Sequence, residues 1–75
     1  MSGGPVKRSL TLKGHRTSVT LEDEFWVEFR RIAGDRNTPI NALAAEIDAN
    51  RDLETGLASA IRVFILSQVL ATSSK

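Results

Sequence analysis

Residues 16–23, with the sequence RTSVTLED, decide the fold of this 75-residue chain. Val19 and Leu21 alternate with polar and β-branched neighbours, a pattern that predicts a half-buried strand over residues 16–21. Acidic residues follow at once, and residues 20–23 fit a capping box at a helix start, where the helix dipole favours negative charge. The stretch therefore predicts a strand that leads directly into a helix.

A near copy of the SVTL segment of this strand, SLTL, lies nine residues upstream. It predicts a second strand over residues 7–12. The segment KGH at 13–15 is predicted to turn a hairpin, with Gly14 at a positive φ and His15 as a turn residue. Because an isolated two-stranded hairpin is marginally stable in water, the strands are expected to pair with a further element.

Three helices are predicted downstream, over residues 21–34, 38–50 and 53–71. In the second helix Thr38 is the predicted N-cap and Pro39 the first helical residue. The third helix is apolar almost all round, which is typical of a buried helix. Since two other short helices cannot cover it, part of its surface is expected to be a subunit interface rather than a membrane-docking face.

The size and composition allow one small domain, predicted over residues 7–71 between a disordered leader (1–6) and a tail (72–75). The chain has no cysteine and one histidine. It therefore has no disulfide, no thiol nucleophile and no metal site of the usual kind, and no metal or cofactor is expected. A chain this short buries little surface, so a second copy is the expected source of stability, with a tetramer as an open alternative.

An enzyme and a membrane protein are both disfavoured. No Gly-rich phosphate loop is present and His15 has no nucleophile at a recognisable spacing, so no catalytic residue is predicted. The longest uncharged run, residues 63–74, has about half the ~20 apolar residues that a membrane span needs. Lys7 and Arg8 are not followed by the apolar segment of a signal peptide, so a cytoplasmic location is expected.

The net charge of +1 conceals an uneven distribution. Residues 1–21 contain four basic residues and no acidic one, whereas residues 22–75 contain six basic and nine acidic residues. A basic arm on an acidic body indicates a polyanionic partner. A solvated tail that only aids solubility is the alternative interpretation.

The order of strand, capped helix, turn and second helix resembles the ribbon-helix-helix family. The segments that carry this resemblance are RTSVTL at 16–21, the acidic helix start at 22–24 and NTPIN at 37–41, with GHRTS at 14–18 and LASAIR at 57–62 similar to a bacterial subgroup. The resemblance implies a mainly α-helical fold with a short β-ribbon, formed as an obligate dimer whose antiparallel strands come from two chains. It also implies that the ribbon enters the major groove of DNA.

The resemblance assigns roles to particular residues, in three groups. The implied base contacts, on the face of the strand opposite the core, are Arg16, Ser18 and Thr20. The implied phosphate contacts, in the basic arm and at the start of the second helix, are Lys7, Arg8, Lys13, Thr38 and Asn41. The expected dimer interface consists of Val19, Leu21, Leu57, Ile61 and Phe64.

Several of these residues have a second interpretation. Thr20 also fits as the N-cap of the first helix, and Arg16 could pair with Glu22 instead of DNA. Ser18 could be a solvent-facing strand residue, while Trp26 is predicted to lie in the core.

Two features depart from the family pattern. If the strand at 7–12 pairs beside the ribbon, the sheet becomes four-stranded across the dimer and too broad for a major groove. The third helix could reinforce the dimer or bind another protein.

The sequence predicts a dimeric, sequence-specific DNA-binding protein that acts as a bacterial transcriptional repressor. The alternative is a protein-interaction or assembly module, including an antitoxin-like one, that uses the same dimer without binding DNA. The predicted partners are therefore a second copy, double-stranded DNA and, in the alternative, a protein.

Overall fold

The computed structural model describes residues 4–73, so parts of the predicted leader (1–3) and tail (74–75) lie outside the described residues. Two strands form an antiparallel sheet and three helices follow. The elements in chain order are β1 (Val6–Leu12), β2 (His15–Leu21), α1 (Asp23–Asp35), α2 (Ile40–Asn50) and α3 (Leu57–Ser73).

The two strands pair within one chain as a β-hairpin. The register runs from Val6 opposite Leu21 to Leu12 opposite His15. Only two residues form the turn, Lys13 and Gly14, with φ of 52° and 85°. Positive φ at both positions defines a type I′ turn, whose twist matches that of paired strands. His15 is therefore the first residue of β2 and not a turn residue.

One edge of β2 is thus paired with β1, as the predicted hairpin required. The physical reason is the short connection. Closing a two-residue loop costs little chain entropy compared with bringing two molecules together. The other edge of β2 has no strand beside it in the described part of the chain.

Gly14 is expected to be required for the hairpin turn. Gly14→Ala places a Cβ at φ 85° and should lower the free energy of unfolding by about 1–2 kcal/mol, the usual cost of a left-handed conformation for an L-residue. Gly34→Ala, in α1 at an ordinary φ with open space around the added Cβ, should leave stability equal or higher. Urea unfolding of both variants measures the difference, and equal stabilities would contradict the assigned turn.

The helices begin later than the sequence indicated. Glu22 is the N-cap of α1 and makes no side-chain capping bond, while Thr20 is still in β2, so its predicted capping role is wrong. Pro39, not Thr38, is the N-cap of α2. The hydroxyl of Thr38 donates to the carbonyl of Arg36 instead (3.1 Å), since a local turn competes with the helix start.

The third helix begins at Leu57, four residues after its predicted start at residue 53. Leu53 is 98% exposed in the loop before it. Arg51 holds this loop by donating to the carbonyl oxygens of Asp52 and Thr55. These bonds close a turn that the apolar periodicity of the sequence did not reveal.

A single apolar cluster joins the sheet to all three helices. Phe29 is fully buried at its centre, with ring centroids 6.3 Å from Trp26 and 6.4 Å from Phe64. Trp26 packs against this core, as predicted. The buried members are Leu10, Val19, Leu21, Phe29, Ile32, Ala33, Leu43, Ala44, Ile61 and Ile65.

The residues expected at the dimer interface are used inside one chain. Val19, Leu21 and Ile61 are buried in the core, and Leu57 and Phe64 are half-buried against it. These side chains are therefore covered within a single chain. What α3 leaves exposed is a different set, here called the α3 apolar face: Val63, Leu66, Val69 and Leu70.

Candidate nucleic-acid interface

The hairpin has two chemically distinct faces. Residues opposite each other in an antiparallel pair point to the same side of the sheet, so the buried positions Leu10 and Val19 identify the inward face. The other side, here called the outward face, is exposed and entirely polar. Its cross-strand pairs are Lys7 with Thr20, Ser9 with Ser18, and Thr11 with Arg16.

Two helices hold the outer edges of the hairpin. On the β1 edge, the backbone N–H of Thr11 donates to the side-chain oxygen of Asn41 at the start of α2 (3.0 Å). On the β2 edge, the carbonyl of Thr20 accepts from the guanidinium of Arg62 on α3 (3.1 Å). Because both contacts involve backbone atoms, they fix the sheet on the helices while leaving the outward side chains exposed.

The outward face carries unneutralised positive charge. Lys7 and Arg16 lie on it and Lys13 lies at the turn, all three exposed. Within residues 4–73, no ion pair involves any of these three cations. The alternative pairing of Arg16 with Glu22 is wrong, since Glu22 pairs with Arg62 at 2.9 Å.

Arg8, a predicted phosphate contact, lies on the inward face of the hairpin. It stands opposite Val19 on the inward face, and its side chain is only 19% exposed. Its guanidinium pairs with Asp23 at the start of α1 and lies 5.3 Å from the ring centroid of Trp26. The signal for this was in the sequence: Arg8 has the same strand parity as Leu10, so alternation places both on one face.

The start of α2 lies beside the β1 edge of the hairpin. The hydroxyl of Thr38 donates its proton to the carbonyl of Arg36, whereas the side-chain oxygen of Asn41 accepts from Thr11 and leaves the amide NH2 group as the part of the side chain that can donate to a phosphate. The first hydrogen bond of this helix runs from Leu43 N–H to the carbonyl of Pro39 (3.0 Å). The N–H groups of residues 40–42 therefore precede the helical ladder, as at any helix N-terminus.

An ion pair joins the strand-to-helix junction to α3. Both guanidinium nitrogens Nε and Nη2 of Arg62 donate to the Glu22 carboxylate, at 3.2 and 2.9 Å. A hydrogen bond from its own backbone and the one from Arg62 lower the pKa of Glu22 below its ordinary value of 4.5. The same arginine contacts the ring of Phe25 and the edge of β2, so this cluster ties three elements together.

We expect this ion pair to make stability pH-dependent in the acid range. Because the folded-state pKa of Glu22 is depressed, its contribution is present above the unfolded-state value near 4.5 and is lost as pH falls through the folded pKa. NMR titration of the carboxyl carbons should show Arg62→Gln raising the pKa of Glu22. The pKa of Glu28, lowered by its hydrogen bond from Arg31, serves as the control and should not move. An unchanged pKa of Glu22 would contradict the contact.

The structure is thus a β-hairpin with an exposed polar, cationic face, packed against three helices. The family model of the ribbon-helix-helix domain matches residues 5–69, and the chain belongs to that family. Ribbon-helix-helix domains are typically DNA-binding regulators that dimerise and are not enzymes. No curated protein and no solved structure matches the sequence significantly.

No helix within residues 4–73 is both long enough and apolar enough to span a bilayer. In the same residues, no group of three acidic, histidine or cysteine side chains is arranged to hold a metal ion.

Proposed function

We propose that this protein is a homodimeric, sequence-specific DNA-binding regulator whose hairpin enters the major groove. The observation that carries the proposal is the outward face: an exposed, wholly polar surface on a two-stranded ribbon, with Lys7 and Arg16 unpaired among the described residues. The major groove admits a two-stranded β-ribbon. A ribbon with hydroxyl and cationic side chains on its free face presents the groups that read base edges there.

Each side chain of the predicted base-reading set has a suitable chemistry. The planar fork of Arg16 matches the O6 and N7 acceptors of guanine, whereas the hydroxyls of Ser18 and Thr20 donate or accept. Around this face, Lys13 at the turn and the backbone N–H groups at the start of α2 supply phosphate contacts. Arg8 is omitted from the set because it is paired with Asp23.

We expect the second copy of the chain to bind at the α3 apolar face. Val63, Leu66 and Leu70 are each more than half exposed, and large exposed apolar surfaces are typical of subunit contacts. The position of the second copy also matters for DNA. Pairing at the open edge of β2 would give a four-stranded sheet, about 14 Å between its outer strands and wider than the ~12 Å major groove. Contact through α3 leaves the hairpin two-stranded.

Leu66→Asp is expected to convert the dimer to monomers. A carboxylate in the centre of an apolar contact loses its hydration without gaining a partner, and we expect dimer affinity to fall at least about tenfold. Leu53→Asp is the matched control, because Leu53 is 98% exposed in a loop away from the α3 apolar face. Light scattering after size exclusion measures both masses. A dimer that persists in Leu66→Asp would exclude this interface.

The central test is binding to duplex DNA over a salt series. We expect affinity that falls linearly with the logarithm of salt concentration, and selection of a preferred sequence from a randomised duplex library. Arg30→Gln is the charge control: Arg30 is exposed on α1, and no ion pair involves it within residues 4–73. Absence of binding even at low salt would overturn the proposal.

One observation favours the alternative of a protein-interaction module. An apolar groove between α1 and α3 is lined by Phe25, Ile65, Leu66 and Val69, and a partner helix could occupy it. The two functions separate in the DNA-binding experiment. A module of this kind uses the same dimer but binds no duplex DNA even at low salt, and it loses its protein partner in Leu66→Asp.

A further inference from the structure

The exposed side of α3 carries a regular row of residues, here called the α3 ridge. Its members follow one another at alternating intervals of four and three residues, and all of them are exposed: Ser59, Val63, Leu66, Leu70 and Ser73. These intervals are those of the seam along which two helices pack in a coiled coil. The ridge therefore has the spacing of a surface that packs against another helix.

The α3 ridge is free of charge along its whole length. Arg62 is the single charged residue of α3, and its guanidinium donates to Glu22 and to the carbonyl of Thr20. The core side of the same helix is already filled by the buried side chains of Ile61 and Ile65. The ridge is thus apolar surface beyond what the core of one chain uses, and its burial desolvates no charge of its own.

A groove runs beside the ridge, on the side that faces α1. It is open, with a volume of about 360 Å³, and its walls are almost entirely apolar, with Phe25, Leu66 and Val69 among the residues that form them. Helices pack when the ridge of one enters the groove of another. Because ridge and groove lie next to each other on one surface, that surface can be complementary to a second copy of itself.

We propose that the α3 ridge binds the same ridge of a second copy, with the two helices antiparallel and crossing at Leu66. The inference rests on the homodimer of the proposed function and specifies how its two chains meet. With a two-fold axis at the crossing point, Leu66 contacts Leu66 of the partner subunit, and Val63 contacts Leu70 of the partner subunit. The contact uses no residue of the hairpin, so it leaves the outward face exposed.

The antiparallel orientation follows from charge. In a parallel pair, Arg62 would lie level with Arg62 of the partner subunit, and the two helix dipoles would point the same way. Leu66 lies four residues after Arg62, so the antiparallel pair separates these two arginine positions by about 12 Å along the helices. Each Arg62 then lies beside the last turn of the other α3, where the helix dipole is negative.

Disulfide cross-linking tests this contact, because the chain has no cysteine of its own. After oxidation of the full chain, Leu66→Cys should give at least about tenfold more cross-linked dimer than the control Leu53→Cys, which lies in a loop and is 98% exposed. Leu70→Cys alone should not exceed the control, since about 12 Å along the helices separates it from its own copy. A mixture of Val63→Cys and Leu70→Cys should cross-link. Non-reducing gels measure all four.

The contrary outcomes separate this inference from the proposed function. If Leu70→Cys cross-links with itself as efficiently as Leu66→Cys, the helices are parallel and the inference falls. If wild type has the mass of a dimer but neither Leu66→Cys nor the mixture exceeds the control, the copies meet elsewhere and the inference also falls. In both cases DNA binding by wild type, measured over the salt series, leaves the regulator function standing. A wild type that binds no duplex DNA overturns the proposed function itself, whatever the cross-links show.

Discussion

Replacing both Lys7 and Arg16 by glutamine is expected to weaken binding to the selected DNA sequence about a hundredfold at physiological salt. Two released counterions account for roughly thirtyfold of this loss at 0.15 M salt. The lost guanine contact of Arg16 accounts for the rest of the loss in affinity. Both side chains are exposed and neither has an ion-pair partner in the described chain. Their replacement therefore leaves no buried group unsatisfied, and the fold should be unaffected.

Fluorescence anisotropy over a salt series measures both the loss of DNA affinity and its dependence on salt concentration. The slope of log affinity against log salt should fall by about 1.8, the value for two phosphate-neutralising charges. Arg30→Gln removes one exposed positive charge from α1 and should cause no comparable change. If the double variant binds as tightly as the wild type, the outward face is not the DNA-binding surface.

Phe29→Ala is expected to destabilise the protein by about 3–5 kcal/mol, the usual cost of truncating a buried aromatic side chain. Phe29 is fully buried and its ring contacts Trp26 on its own helix and Phe64 on α3. Its removal leaves a cavity where α1, α3 and the sheet meet. Small domains often have an unfolding free energy of only about 5 kcal/mol. A large fraction of the Phe29→Ala variant should therefore be unfolded at 37 °C.

Thermal and urea unfolding measure this effect, with circular dichroism as the signal. Val27→Ala is the matched control on the same helix, because Val27 is 62% exposed and its truncation should change stability by no more than about 0.5 kcal/mol. If both variants unfold alike, the assigned core is wrong.

Much of the architecture followed from local patterns. Alternation in residues 16–21 and the adjacent acidic residues were sufficient for a strand that leads into a helix, because both signals act over a few residues. The near copy at 7–12 indicated the second strand and Gly14 the turn. Helix starts were less accurate: Thr20 and Thr38 were assigned as caps, yet neither hydroxyl caps a helix in the structure. A hydroxyl has several local acceptors, and packing decides among them.

The candidate site was predicted in part, for reasons that differ between residues. Exposure of Arg16, Ser18 and Thr20 follows from strand parity once Val19 is taken as core. The role of Arg8 depends on Asp23 and Trp26, which approach it only when α1 folds back against the sheet. The same holds for Asn41, whose side chain meets Thr11 thirty residues away in sequence.

By itself, the sequence determined that this protein is a strand pair followed by helices, with a basic arm, an acidic body and a near copy of the SVTL segment upstream. These properties depend on neighbouring residues and on composition. Only the tertiary structure decided the register in which the two strands pair, because register is a long-range property set by the turn and by the shared core. That register places Arg8 on the inward face, where Asp23 and Trp26 contact it, and leaves Lys7 and Arg16 exposed.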